Sequence, residues 1–279
     1  MLTSVFASES DLYFPVRLSQ VWVPGADGGP APADGFRAVV REDTGAVLGV
    51  HRAGYQLLPN RALFEGLEAA LLDADLPLDR VEVVDQLAYG GRWAIRTYVL
   101  PAITLAPRVG DLVRLRLQAL NSYGAERAFR ARVSGQRLIC TNGLVTEAGA
   151  VAVYGRHTSG FSLRRAVEKL RHAVEAFVLK EAEWRGWAER EIAAAEATEV
   201  FQAMPGANAR LVARLTEHWN QEAGALGATL WALYNALTHW SSHEPVRPAS
   251  VPNRAAIVLG REDRVRQLME RPAFQRLTA

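Results

Sequence analysis

Four residues near the middle of the chain carry side chains that could do chemistry together. Cys140 is the only cysteine, and Asn142 follows it in RLICTNGLV. Arg156 and His157 stand further on, in GRHTSG. A thiolate nucleophile needs a base or a cation beside it to lower its pKa. On that reading Cys140 attacks, His157 takes the proton, and Asn142 or Arg156 orients the substrate. The competing reading is structural. A free cysteine is often a small buried hydrophobe, and no cysteine-protease signature surrounds Cys140. The residues favour the structural reading, so Cys140, His157 and Asn142 stand as the catalytic alternative. Arg156-His157-Thr158 precedes a helical pattern, where helix-start amides plus Arg156 form either an anion site or a cap.

Metal chemistry has less to stand on. His239 and His243 are four residues apart at a helix end, which can place two ligands on one face. No cysteine or obvious third ligand accompanies them, so no metal and no cofactor are expected.

A different pattern points to binding. In DLVRLRLQAL, Val113, Leu115, Leu117 and Ala119 alternate with Arg114, Arg116 and Gln118. In RAFRARVSG, Phe129, Ala131 and Val133 alternate with Arg130 and Arg132. In GRWAIRTYVL, Trp93, Ile95, Thr97 and Val99 alternate with Arg92, Arg96 and Tyr98. Successive side chains of a strand point to opposite faces. Three such strands side by side would share a dry face and a wet face bearing arginines. Like charges across strands cost stability. Between residues 108 and 137, seven arginines face only Asp111 and Glu126. The expected partner is therefore an anion, most simply a phosphate backbone. Arg92, Arg96, Arg114, Arg116, Arg130, Arg132 and Arg156 are the expected nucleic-acid contacts. Tyr98, Tyr123 and Phe129 would add stacking surface. The competing reading is a solvated sheet in an arginine-biased chain, where Lys169 and Lys180 are the only lysines among 32 basic residues.

The elements that must position these residues follow from period and turn signals. Residues 21–36 (VWVPGADGGPAPADGF) are rich in Gly, Pro and Ala and read as a flexible loop or arm. FRAVVREDTGAVLGVH reads as a hairpin about Asp43-Thr44-Gly45. A helix follows from Asn60, a candidate N-cap, with Leu63, Leu67, Ala70 and Leu71 on one side. From 81 to 153 the period is two, which predicts an antiparallel meander of four or more strands. A long helix is predicted over about 162–197, with Val167, Leu170, Val174, Phe177, Trp184 and Ala188 as its seam. Pro205-Gly206 breaks the helical region, and further helices fill the rest. The fold class is α+β, an antiparallel meander packed on a long helix. Residues 1–160 form the β-rich core and 161–279 a helical region packed on it. No Gly-rich turn joins a strand to a helix, so a nucleotide-binding Rossmann or P-loop reading is poor.

The composition sets outer bounds. A chain of 279 residues, 49% hydrophobic and 22% charged, is ordinary for a globular protein. The net charge of +2 alone calls for no acidic partner. One cysteine excludes an intramolecular disulfide and suits a reducing compartment. No secretory leader opens the chain and no apolar run approaches about 18 residues, so the expected location is cytoplasmic.

Several stretches together resemble one family. They are VVREDTGAVLGVHRAGYQLLPNRALFEGLEAALLDA, LNSYGAERAFRARVSGQRLICTNGL, GRHTSG, LWALYNALTHWSSH and LGREDRVRQLMERP. In this order they resemble the phage/plasmid-like proteins catalogued as domain of unknown function 932, over about residues 36–272. The family pattern reads Asn-Ser-His-Asp-Gly where this chain has Asn121-Ser122-Tyr123-Gly124-Ala125. It usually reads Cys-Gln-Asn where this chain has Cys140-Thr141-Asn142. The missing His and Asp weaken an enzyme centred on that turn. The resemblance implies carriage by phages, plasmids and integrated elements, and it assigns no reaction. The meander and long helix also look like the core of single-strand annealing recombination proteins, an analogy of fold alone.

The leading expectation is a non-enzymatic, DNA-binding accessory protein that prefers single strands, with possible homo-oligomers and no membrane partner. An enzyme using Cys140 and His157, or a structural protein that assembles through its helical half, are the alternatives.

Overall fold

The computed structural model describes residues 10–73, 76–78, 80–124, 129–138, 143–144, 152–155 and 163–279, side chains of 143–144, 152–155 and 163–167 excepted. Strands β1 (Val16–Pro24), β2 (Pro30–Arg41) and β3 (Val47–Arg52) form a small antiparallel sheet in that order. The β2–β3 hairpin turns at Asp43-Thr44-Gly45, where Gly45 takes a φ of +71°. The stretch expected as a flexible loop is instead a hairpin. Trp22, Val23 and Pro24 pair with Pro32, Ala31 and Pro30. Its tip closes through Gly28 N–H to the Gly25 carbonyl at 3.0 Å and Gly29 N–H to Asp27 Oδ1 at 3.0 Å. The prolines do not disrupt it, because β1 is an edge strand and β2 has left its Pro30 and Pro32 at the hairpin end.

Helix α1 (Asn60–Asp73) follows, then the main sheet. Strands β4 (Glu82–Ala88), β5 (Trp93–Arg108), β6 (Asp111–Ser122) and β7 (Phe129–Arg137) run as an antiparallel meander. Two short strands pair with β7, namely β8 (Gly143–Leu144) at Gly135–Gln136 and β9 (Ala152–Gly155) at Phe129–Arg132.

The helical part holds α2 (Leu163–Glu189), α3 (Ala194–Gln202), α4 (Ala209–Leu226) and α5 (Leu230–His243). Helices α6 (Arg254–Met269) and α7 (Pro272–Thr278) complete the chain. The long predicted helix is two helices. Between them Ile192 N–H donates to the Ala228 carbonyl at 2.9 Å, and Glu191 bridges Thr229. A tertiary pairing thus takes the backbone groups that would have continued the helix, although no Gly or Pro marks the break. Asn208 and Thr229 cap α4 and α5 with their side chains. Helix α5 is buried nearly all round, and its buried Asn235, Thr238 and Ser241 donate to carbonyls of the helix itself.

The main sheet is covered on both faces. On one face Leu115, Leu117, Ala131 and Val133 join Phe64 and Leu67 of α1 and Leu170 and Phe177 of α2 in one apolar cluster, which runs on to Trp231 and Phe274. On the other, Trp93, Ile95 and Leu120 pack under Ala255, Ala256 and Leu259 of α6. The architecture is α+β, with the helices concentrated after residue 162. Among the described residues no helix is long and apolar enough to cross a membrane.

Candidate functional site

The ladder register decides where the arginines go. Val99 pairs with Arg116, which pairs with Ser134, and Thr97 pairs with Gln118, which pairs with Arg132. Directly opposed residues share a face. Arg114, Arg116, Arg130 and Arg132 therefore lie with Trp93, Ile95, Thr97 and Val99, on the side that α6 covers. Arg96 pairs with Ala119 and lies on the opposite face, toward α1. The expected grouping of β5 with its neighbours was inverted by one residue.

The expected open arginine face is corrected accordingly. Arg116, Arg130 and Arg132 are buried. Glu262 of α6, with no exposed side-chain surface, accepts from Arg116 at 2.8 Å and also from Arg132. Asp263 takes Arg130 in a two-pronged pair at 2.9 and 2.6 Å. Gln118 accepts from Arg132 at 2.8 and 3.1 Å and donates to Thr97 at 3.2 Å, and Ser134 accepts from Arg116 at 2.9 Å. The like charges are tolerated because two carboxylates from a distant helix sit among them. Arg114, at the rim, pairs with Glu82 at 2.9 Å. Arg92 is half-buried beside the Tyr89–Gly91 turn.

Arg96 anchors a second knot. Asp85 receives its Nε and Nη2 at 2.7 Å each, and Glu68 receives Nη1 at 2.7 Å. Tyr98 donates to the same Glu68 oxygen at 3.0 Å, Ser10 donates to Asp85 at 2.5 Å, and Tyr13 contacts Nη1. Burial opposes the guanidinium charge, but the Asp85 hydrogen bonds and nearby negative groups outweigh it and raise the Arg96 pKa. Burial raises Glu68, against the pull of Arg96. A cleft of about 580 Å³ lies beside the knot, lined by Ser10, Asp11, Leu12, Asp85, Gln86 and Leu87.

A third chain of polar groups joins β6 and β7 to α4 and α5. Asp111 accepts from Trp231 at 2.8 Å and from Arg137 at 2.6 Å, and Arg137 reaches Glu222 at 3.0 Å. His239 lies 3.6 Å from Glu222 and stacks on His218, which meets Glu244 at 3.3 Å. His243 sits edge-on to His239. Among the described residues no group of three or more His, Cys, Asp or Glu could hold a metal.

The end of β6 and the two residues after it join the two sheets. Asn60 N–H donates to Tyr123 Oη at 2.9 Å, and Asn60 Nδ2 to the Leu12 carbonyl at 2.8 Å. Asn121 Nδ2 donates to Asn60 Oδ1 at 2.7 Å. So the Asn60 side chain ties elements together rather than capping its own helix. The Tyr123 carbonyl meets His51 Nε2 at 2.7 Å. It also lies so close to Gly49 that a Cβ there would stand 2.0 Å away. Tyr123 and Tyr98 are buried, as is Phe129, so none of the three offers a stacking surface.

A family model described as a domain of unknown function (DUF932) matches residues 47–265. The chain belongs to this family. The matched span holds the main sheet, its arginines and Glu262 and Asp263. No curated protein and no solved structure matches the DUF932 chain.

Of the expected catalytic residues, Cys140, Asn142 and His157 lie outside the described residues, as does Arg156. Glu262 and Asp263, which decide the fate of the arginine face, went unread in the sequence. Their signal was present: Glu262 falls between Leu259 and Val265 at three-residue steps on the stripe that α6 buries. A carboxylate there needs a buried cation.

Several exposed cations make no ion pair among the described residues, including Arg80, Arg171, Arg210, Arg247 and Arg271. Arg17 and Arg52 are exposed and make no ion pair with a carboxylate among the described residues. Both belong to the small sheet. Around the end of α5, Arg254 and Arg261 donate to the carbonyls of Ser242, Glu244 and Pro245, which satisfies a helix C-terminus.

Proposed function

We propose that this chain is a non-enzymatic, nucleic-acid-binding accessory protein, of the kind that serves replication or recombination of a phage, plasmid or integrated element. The supporting observation is exposed cationic charge that no carboxylate compensates, on the small sheet as well as at Arg80, Arg171, Arg210, Arg247 and Arg271. Arg96, Arg116, Arg130 and Arg132 have internal carboxylates, whereas Arg17 and Arg52 keep exposed guanidinium groups that make no ion pair among the described residues. Such groups pair with phosphates and carry no sequence information. The binding is therefore sequence-tolerant and electrostatic. The test is salt-titrated fluorescence anisotropy of the full chain with a labelled oligonucleotide. Affinity is expected to fall with salt at a log–log slope of about −0.7 per phosphate neutralised on a single strand. A wild-type chain that binds no oligonucleotide at low salt would overturn the reading.

A second reading, an assembly protein, draws on Trp22 and Val23. They are 59% and 45% exposed on the hairpin that extends the small sheet, along the edge strand β1. Sedimentation velocity of the wild-type chain separates the two.

A further inference from the structure

We infer that the outer face of the β1–β3 sheet is the docking surface for a single-stranded nucleic acid; this rests on the proposed function and gives it a place. The face is defined by register. Phe36 pairs with Arg52, Arg17 with Val40 and Val40 with Val47, and Ala38 with Val50. The opposite side of the same strands carries Val39 and Leu48, which pack on Phe14 and Tyr123 of the body. Phe36, Val47 and Val50 thus turn away from the body, and they are 47%, 57% and 45% exposed. Arg17 and Arg52 stand among them.

The chemistry of this face selects its occupant. An exposed aromatic ring and two valines gain by covering with flat apolar surface, and two unpaired guanidiniums gain by meeting anions. A single strand offers both at once, bases to stack and phosphates to pair. A duplex turns its phosphates outward and hides its base faces, so it meets only the arginines. A second copy of this chain is the poorer fit. A two-fold pairing uses the same patch twice and would bring two sets of Arg17 and Arg52 together.

The test uses the full chain, a labelled single strand, and a duplex of the same sequence. Phe36→Ala is expected to weaken single-strand binding about tenfold. The Arg17→Gln/Arg52→Gln double variant is expected to flatten the salt slope by about 1.4. The duplex is expected to bind more weakly than the single strand. All three substituted side chains are exposed, so the variants keep the fold, which circular dichroism checks. If the wild-type chain binds single strands and both variants bind equally well, the surface is wrong while the proposed function stands. If the wild-type chain binds nothing, the proposed function falls and this surface with it. If the wild-type chain dimerises and Phe36→Ala dissolves the dimer, a second copy covers the face and the inference is overturned.

Discussion

Glu262 and Arg116 are 146 residues apart in the chain, yet their side chains meet at 2.8 Å beneath α6, with Arg132 on the other Glu262 oxygen. This contact turns what the strand pattern presents as a wet face into an interior. Glu262→Ala would leave two buried guanidiniums without their shared carboxylate. Breaking a buried pair in this way costs about 3–5 kcal/mol, to be read as a lower urea midpoint. Replacing Arg116, Arg132 and Glu262 together by apolar residues of similar volume is expected to recover most of that loss. A Glu262→Ala variant as stable as the wild type would show that α6 does not rest on this network.

On the opposite face, Leu170 of α2 is fully buried within the large apolar cluster. Leu170→Asp places a charge there with no partner. Burying an unpaired carboxylate is costly enough to unfold a domain of ordinary stability. The expected outcome is loss of a cooperative thermal transition by circular dichroism. By contrast, Leu179 on the same helix is 76% exposed, and Leu179→Asp is expected to shift stability by no more than about 0.5 kcal/mol.

The meander, the β2–β3 hairpin and α1 were legible in the sequence because period and turn residues are local properties. The strands from Glu82 to Arg137 alternate cleanly, and Gly45 sits where the hairpin needs a positive φ. Two local readings failed for non-local reasons. The helix break at Ile192 is made by Ala228, and the 21–36 stretch is ordered by cross-strand pairing rather than by propensity. The arginine face failed for a related reason. Alternation places Arg116 and Arg132 on one side of a sheet, but it is silent on whether another element covers that side. Strand alternation also cannot set the register between strands, so Arg96 was grouped with the wrong face. Arg17 and Arg52 carried no signal of their own. Their exposure became informative only once Arg96, Arg116, Arg130 and Arg132 had found carboxylates.

Gly49 makes the junction between the two sheets. A Cβ at this position would overlap the Tyr123 carbonyl, 2.0 Å away, and backbone cannot yield as a flexible side chain can. Gly49→Ala is expected to cost about 1–3 kcal/mol through overpacking and to loosen the small sheet from the body. Limited proteolysis should then cut within residues 10–57 faster than in the wild-type chain. Gly35→Ala, where a Cβ meets nothing within 4 Å, is the control and should leave the rate unchanged.

The histidine stack on α4 and α5 gives the stability a pH dependence with a definite sign. Burial pushes His218 below its ordinary 6.5, helped by the neighbouring His239 and Arg214 and opposed by Glu244. The folded state therefore prefers the neutral imidazole more than the unfolded chain does. That preference stabilises the fold above pH 6.5 and is lost as pH falls through the lowered folded value. Glu222 acts further down the scale. Burial would raise it, but His239 and Arg137 hold it below its ordinary 4.5, so its contribution is lost only in more acidic solution. Unfolding free energy measured between about pH 8 and 5 should thus decline toward the acid side. His218→Gln removes the titrating ring and should flatten that decline, while leaving the steeper loss below pH 4.5 in place. An undiminished slope in the His218→Gln variant would assign the proton uptake to another histidine of the chain.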